Sequence, residues 1–167
     1  INHNGSVETA IQLIDAAVEA GCQAVKFQKR TVELVYSVEE LEKPRENPFG
    51  TTNGDLKRGL EFGISEYQAI DAHCKERGIL WFASCWDEGS VEFIEGFDPP
   101  CHKVASACLV HDDLLRSLSR TGRPMIVSTG MSTLQQISHA VELLRPEPHV
   151  LLHSTSTYPS KVDDLNL

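Results

Sequence analysis

The chain has 167 residues, 41% of them hydrophobic, and a formal net charge of −9. That is enough apolar material for one core, and no run of about eighteen apolar residues offers a membrane-spanning helix. The acidic balance argues against nucleic acid or an anionic membrane as partner, because counterion release needs clustered Lys and Arg.

Ile1 opens the sequence with no charged-then-apolar leader before it, so no targeting signal is legible and the true start is expected upstream. Residues 6–20 come first, with Val7, Ala10, Ile11, Ile14, Ala17 and Val18 on one helical face. The run AVKFQK follows at residues 24–29, overlapping a strand expected over 23–28. Residues 37–63, with Pro44, Pro48 and several glycines, form one long connection that suits a lid, its 38–46 part reading as a solvated charged run. Ser65-x-x-Gln68 and Ser132-x-x-Gln135 look like capping boxes opening two further helices. The remaining strands are expected at 79–84, 101–106, 124–129 and 150–155. Five cysteines, Cys22, Cys74, Cys85, Cys101 and Cys108, lack C-x-x-C or zinc-like spacing and read as reduced thiols in a cytoplasm.

One punctuation recurs. VEAGCQAVKF, KERGILWFAS and SRTGRPMIVS each end a helix in Gly and begin an apolar strand a few residues on. Strands alternating with helices imply parallel pairing. A doubly wound sheet would carry a Gly-rich phosphate turn after an early strand, and neither G-x-G-x-x-G nor G-x-x-x-x-G-K-[ST] occurs. Lys26 and Gln28, Ser84, Lys103 and Ser106, Ser128 and Thr129, and His153 to Ser156 all fall at C-terminal strand ends. That is where a (β/α)₈ (TIM) barrel builds its site. Such a barrel takes ~250 residues, so the chain reads as a partial α/β barrel with about five strands, the first and last strands missing.

A lysine inside an apolar strand needs an anion, because burying an unpaired ammonium costs several kcal/mol even after relaxation. Lys26 and Lys103 can each snorkel to solvent or pair with a Glu; together they favour a ligand. Each serine alone can simply satisfy local backbone. His3 can fix the loop after the first strand by hydrogen bonding or serve the site. His153 reads as structural, and no pair of His or carboxylates has metal-ligand spacing.

INHNGS, VKFQ, NPFG with LEFGISEYQAI, HKVAS, RPMIVSTGMSTLQQI and LLHSTSTYP, in this order, resemble the N-terminal barrel of the sialic acid synthase family. Those enzymes condense phosphoenolpyruvate with an N-acetylated hexosamine such as N-acetylmannosamine. The resemblance implies that Lys26 and Lys103 hold phosphoenolpyruvate, with Ser84, Ser106 and Ser128 as hydroxyl donors and Gln28 as a nearby amide. On the sugar side it implies Asn2, Cys108, Ser156 and Tyr158. Cys108 stands where the family has Glu, and Ser156 where many members have Asn.

It also implies a divalent cation, manganese or magnesium, whose histidine ligands lie beyond Leu167. A C-terminal antifreeze-like domain and a homodimeric full-length protein are implied as well. Residues 1–167 are then one incomplete barrel domain, expected to be inactive alone. Two other readings stay open: a Schiff-base aldolase using Lys103, and a non-catalytic barrel whose site has decayed.

Overall fold

The computed structural model describes residues 2–157 and 159–165. In chain order it runs α1 (Val7–Glu19), β1 (Ala24–Lys29), α2 (Val32–Val35), α3 (Val38–Leu41), β2 (Pro44–Asn47), β3 (Gly50–Thr52), α4 (Asn53–Gly59), α5 (Ile64–Arg77) and β4 (Leu80–Cys85). It continues with α6 (Glu88–Glu95), β5 (His102–Val104), α7 (Asp112–Arg120), β6 (Met125–Ser128), α8 (Leu134–Leu144) and β7 (His149–Leu152).

β1, β4, β5, β6 and β7 form one five-stranded sheet in that order, every pair parallel. A helix lies in each crossover, as parallel pairing demands. This is part of a (β/α)₈ barrel.

Local chemistry sets the helix ends. Ser6 Oγ accepts from Thr9 N at 3.1 Å, capping α1, and Ala10 and Ile14, four residues apart, bury its inner face. α5 stops at Gly78, whose φ of 67° is left-handed and whose N–H returns to the carbonyls of Cys74 and Lys75.

Strand alternation divides the sheet into two faces. Trp81 is 6% exposed while its neighbour Leu80 is 57% exposed, so odd-numbered residues of β4 face the helices. There the rings of Phe27, Tyr67, Trp81, Phe93 and Phe97 pack with centroids 5.4–6.1 Å apart, edge-on or tilted as aromatic quadrupoles prefer. The opposite face carries Lys26, Gln28, Ser84, Lys103 and Ser128.

Several expectations need correction. Residues 37–63 are not one long irregular connection: they fold as α3, the β2–β3 hairpin and α4. The capping box of Thr52 and Asp55 nucleates α4. Within the stretch read as solvated, Leu41 is 8% exposed. The other two capping boxes are displaced. α5 begins after Gly63, whose N–H donates to Glu66 Oε2 at 3.0 Å, and α8 uses Thr133 with Gln136. β5 and β7 end earlier than expected, β5 because Ser106–Cys108 turn into a 3₁₀ segment in which Cys108 N donates to Ala105 O.

Candidate anion-binding site at the strand ends

Register brings the expected side chains together. Gln28 lies opposite Ser84 and Ser84 opposite Lys103, a polar row across β1, β4 and β5. Lys26 sits two residues earlier on the face of Gln28, and Ser128 two residues beyond Ile126, the partner of Lys103. Lys103 is 9% exposed. Its Nζ donates to Val104 O and to Ser128 Oγ, each at 2.6 Å.

Burial first, and then the positive charge of Lys26, push the Lys103 pKa down to about 8. Lys26 is solvent-accessible on the outer strand of the sheet, yet the protein packed around it still lowers its pKa by desolvation. No ion pair among the described residues includes Lys26 or Lys103. Two converging ammoniums without a carboxylate, beside hydroxyls and an amide, make a receptor for an anion.

Further along the strand ends, Gly130 N donates to Ser106 Oγ at 3.1 Å. A Cβ at Gly130 would lie 2.8 Å from Ser156 Oγ, 2.9 Å from Ser106 Oγ and 3.1 Å from Ser154 O. Only glycine allows Ser106 and Ser156 to approach this closely. A hollow of about 680 Å³ lies here, lined by Thr129, Ser132, Thr133, His153, Ser154 and Ser156 among others. Asn2 lies elsewhere, in a cleft of about 360 Å³ with Lys26, Gln28 and residues of α1.

Other expected residues are placed differently. Cys108 is fully buried in the apolar core, where burial pushes its thiol up to about 11. The 3₁₀ turn directs it inward, so it presents no group to a sugar. Tyr158 lies outside the described residues. His3 fixes its loop: Nδ1 accepts from Gly5 N at 3.1 Å and the ring stacks on Phe62 at 4.0 Å. His153 Nε2 donates to Leu165 O at 2.6 Å, a structural bond. Among the described residues no group of three or more His, Cys, Asp or Glu could hold a metal ion, so these residues alone do not fit a divalent cation. Nor is any helix among them long and apolar enough to cross a membrane.

Sequence reading missed the cationic cluster beside this row. Arg30, 5% exposed, pairs through Nε with Glu61 and donates from a terminal nitrogen to Tyr36 Oη at 2.5 Å. Lys29 Nζ donates to Phe62 O at 2.8 Å. Arg30 and Glu61 are 31 positions apart, and no spacing rule links residues at that range.

Five parallel strands with a helix in each crossover define a (β/α)-barrel protein. Residues 13–167 match the NeuB family, and the chain belongs to it. It is 35% identical to an N-acetylneuraminate-9-phosphate synthase of Drosophila melanogaster, over 99% of this chain and 46% of the fly protein. Identity to the human protein of the same name is 34%, over 99% of this chain and 47% of that one.

The chain thus spans about half the length of the curated relatives it matches. The crystal structure of an N-acetylneuraminic acid synthetase from Leptospira borgpetersenii, in complex with citrate, superposes with a TM-score of 0.86 at 25% identity, covering 99% of this chain and 55% of that one. A Thermotoga maritima DAHP synthase shares the fold at a TM-score of 0.65 and 12% identity, over 93% of this chain and 41% of that one.

Proposed function

We propose that the intact protein is a nonulosonic acid synthase that joins phosphoenolpyruvate to an open-chain N-acylated hexosamine such as N-acetylmannosamine. The observation that carries this reading is the pair Lys26 and Lys103, on one sheet face and without a carboxylate partner among the described residues. Phosphoenolpyruvate has a phosphate and a carboxylate on adjacent groups. Two ammoniums flanked by Gln28, Ser84 and Ser128 match that spread of charge, and the charge-assisted bonds offset the cost of burying Lys103.

The reaction follows from holding the enol ester still. Its C3 electron pair attacks the aldehyde carbon and the new C–C bond forms, while the aldehyde oxygen takes a proton. Water captures the cation left at C2. The tetrahedral adduct then expels phosphate by C–O cleavage, leaving a 2-keto acid. Lys26 and Lys103 bind and orient the anion throughout.

The test uses the intact protein with phosphoenolpyruvate labelled with ¹⁸O at the bridging oxygen. Sugar-dependent release of phosphate carrying the label supports the reading. Unlabelled phosphate, or release that ignores the sugar, contradicts it.

A second reading rests on the Lys103 pKa near 8, which would populate the neutral amine a Schiff base needs. Its hydrogen bonds to Val104 O and Ser128 Oγ are stronger when an ammonium donates them, which favours the first reading. Borohydride trapping of a pyruvate adduct at Lys103 would support the aldolase instead.

A further inference from the structure

The motif NPFG, residues 47–50, forms the tip of the β2–β3 hairpin and takes no part in the row of anion-binding side chains. Its turn is tightly held. Asn47 Oδ1 accepts from Phe49 N at 2.9 Å, while Asn47 Nδ2 donates to the carbonyls of Arg45 and Thr52 at 2.7 and 2.9 Å. Asp55 Oδ2 accepts from Thr51 N and Thr52 N, which joins β3 to the first turn of α4. Hairpin and helix are thus one unit, and it presents Phe49 in a fixed direction.

The Phe49 ring turns back onto the last residue of that helix. A Cβ at Gly59 would overlap the ring, and a Cβ at Gly5 would collide with Gly59 O and lie 2.9 Å from Phe49 Cζ. Glycine at both positions lets the hairpin tip, the end of α4 and the loop before α1 meet. Phe49 stays 40% exposed and lies outside the hydrophobic core, so core burial does not account for its placement.

The loop it touches is short. Ser6 N donates to His3 O at 2.9 Å across Asn4 and Gly5, whose φ values of 50° and 78° mark a type I′ turn. Two side-chain contacts from outside hold this turn: the Phe49 ring against Gly5, and Phe62 stacked on His3. The same loop supplies Asn2 and His3 to the cleft of about 360 Å³ that Lys26 and Gln28 also line.

We infer that Phe49 is a positioning residue that clamps the His3–Ser6 turn against α4 and so sets Asn2 beside Lys26 and Gln28 for ligand binding. The Asn2 amide brings donors and an acceptor to a cleft that already holds an ammonium and a second amide. Such a contact counts only where the backbone carrying it is still, since a displacement of ~1 Å forfeits it. The inference rests on the proposed synthase reading, which supplies the ligand.

The test measures KM for phosphoenolpyruvate and for N-acetylmannosamine in the intact protein, well below its Tm, for wild type, Asn2→Ala, Phe49→Ala and the double variant. Asn2→Ala should raise one KM about tenfold, the loss of one hydrogen bond to the ligand. Phe49→Ala should raise that same KM about as much, and the double variant no further, because both changes remove one contact. Gly59→Ala keeps Phe49 but pushes its ring away and should act as Phe49→Ala does. Unchanged KM values in either single variant, or effects that multiply to about a hundredfold in the double variant, would overturn the inference.

Amide exchange reads the clamp without turnover. If the wild-type protein releases no phosphate from phosphoenolpyruvate with the sugar, the synthase reading fails. The clamp still stands if Phe49→Ala speeds exchange at the Gly5 and Ser6 amides, which donate to His3, about tenfold or more while α5 keeps its rates. It falls if those two amides exchange as in wild type.

Discussion

Lys103 on β5 reaches across to β6 and donates a hydrogen bond to Ser128 Oγ at 2.6 Å, which with the bond to Val104 O fixes where the ammonium sits. Ser128→Ala should loosen that position while leaving the charge in place. A neutral hydrogen-bond partner lost beside a cation is worth ~1–1.5 kcal/mol, so affinity for phosphoenolpyruvate should fall about tenfold. Lys103→Arg should fail to restore function, since a planar fork does not fit where a compact ammonium sits between Val104 O and Ser128 Oγ. Calorimetry on both variants checks the pair, and wild-type affinity in Lys103→Arg would show that charge alone suffices.

The depressed pKa of Lys103 predicts a pH dependence. The free protein loses its ammonium as pH rises through about 8, and an anion binds the charged form better, so the dissociation constant for phosphoenolpyruvate should rise above that pH. Stability moves the other way. Between about 8 and the ordinary lysine value of 10.5 the unfolded chain holds more protons at this position, so this group's contribution favours the fold increasingly as pH rises. Lys103→Met should flatten both trends, and an unchanged pH profile in that variant would assign them to another group.

His3 gives a second titration, at the acid end. Burial lowers its pKa from 6.5 to about 4, so the folded state keeps it neutral where the unfolded chain takes a proton. Stability from this group is complete above pH 6.5 and is lost as pH falls toward 4. His3→Phe keeps the stack on Phe62 and should reduce the acid sensitivity of Tm over that interval. Equal acid sensitivity in the variant would contradict the assignment.

Gly130 should tolerate no side chain. Ser154 O, 3.1 Å from the Cβ position, is backbone and yields little, so Gly130→Ala must push Ser106 and Ser156 apart. Ligand affinity should fall about tenfold or more, the ~1.4 kcal/mol of a displaced contact or two, with a smaller change in Tm. Retained affinity would show that this serine cluster lies outside the site.

What the sequence revealed follows from how far each signal reaches. AVKFQK shows by alternation alone that Lys26 and Gln28 share a face, and the recurring Gly before each strand marks the αβ units. Those cues are local, and the five parallel strands stand within one to three residues of where they set them. The hairpin and α4 within 37–63 were hidden because Pro44 and Gly50 stand in short strands and Gly54 and Gly59 inside α4, residue types that locally signal a loop. Cys108 was misplaced because the resemblance set it where the family has a sugar-side Glu, whereas the 3₁₀ segment after Val104 leaves it buried in the core. The pairing of Arg30 with Glu61 depends on tertiary approach, which no periodicity encodes.

The central claim is that Lys26 and Lys103 together hold a phosphorylated enol acid. Titrating the intact protein with phosphoenolpyruvate, alongside Lys26→Met and Lys103→Met, tests it directly. Loss of a charge-assisted contact worth ~2–3 kcal/mol predicts affinity about a hundredfold weaker in each variant, with folding retained. Wild-type affinity in both variants would contradict the account.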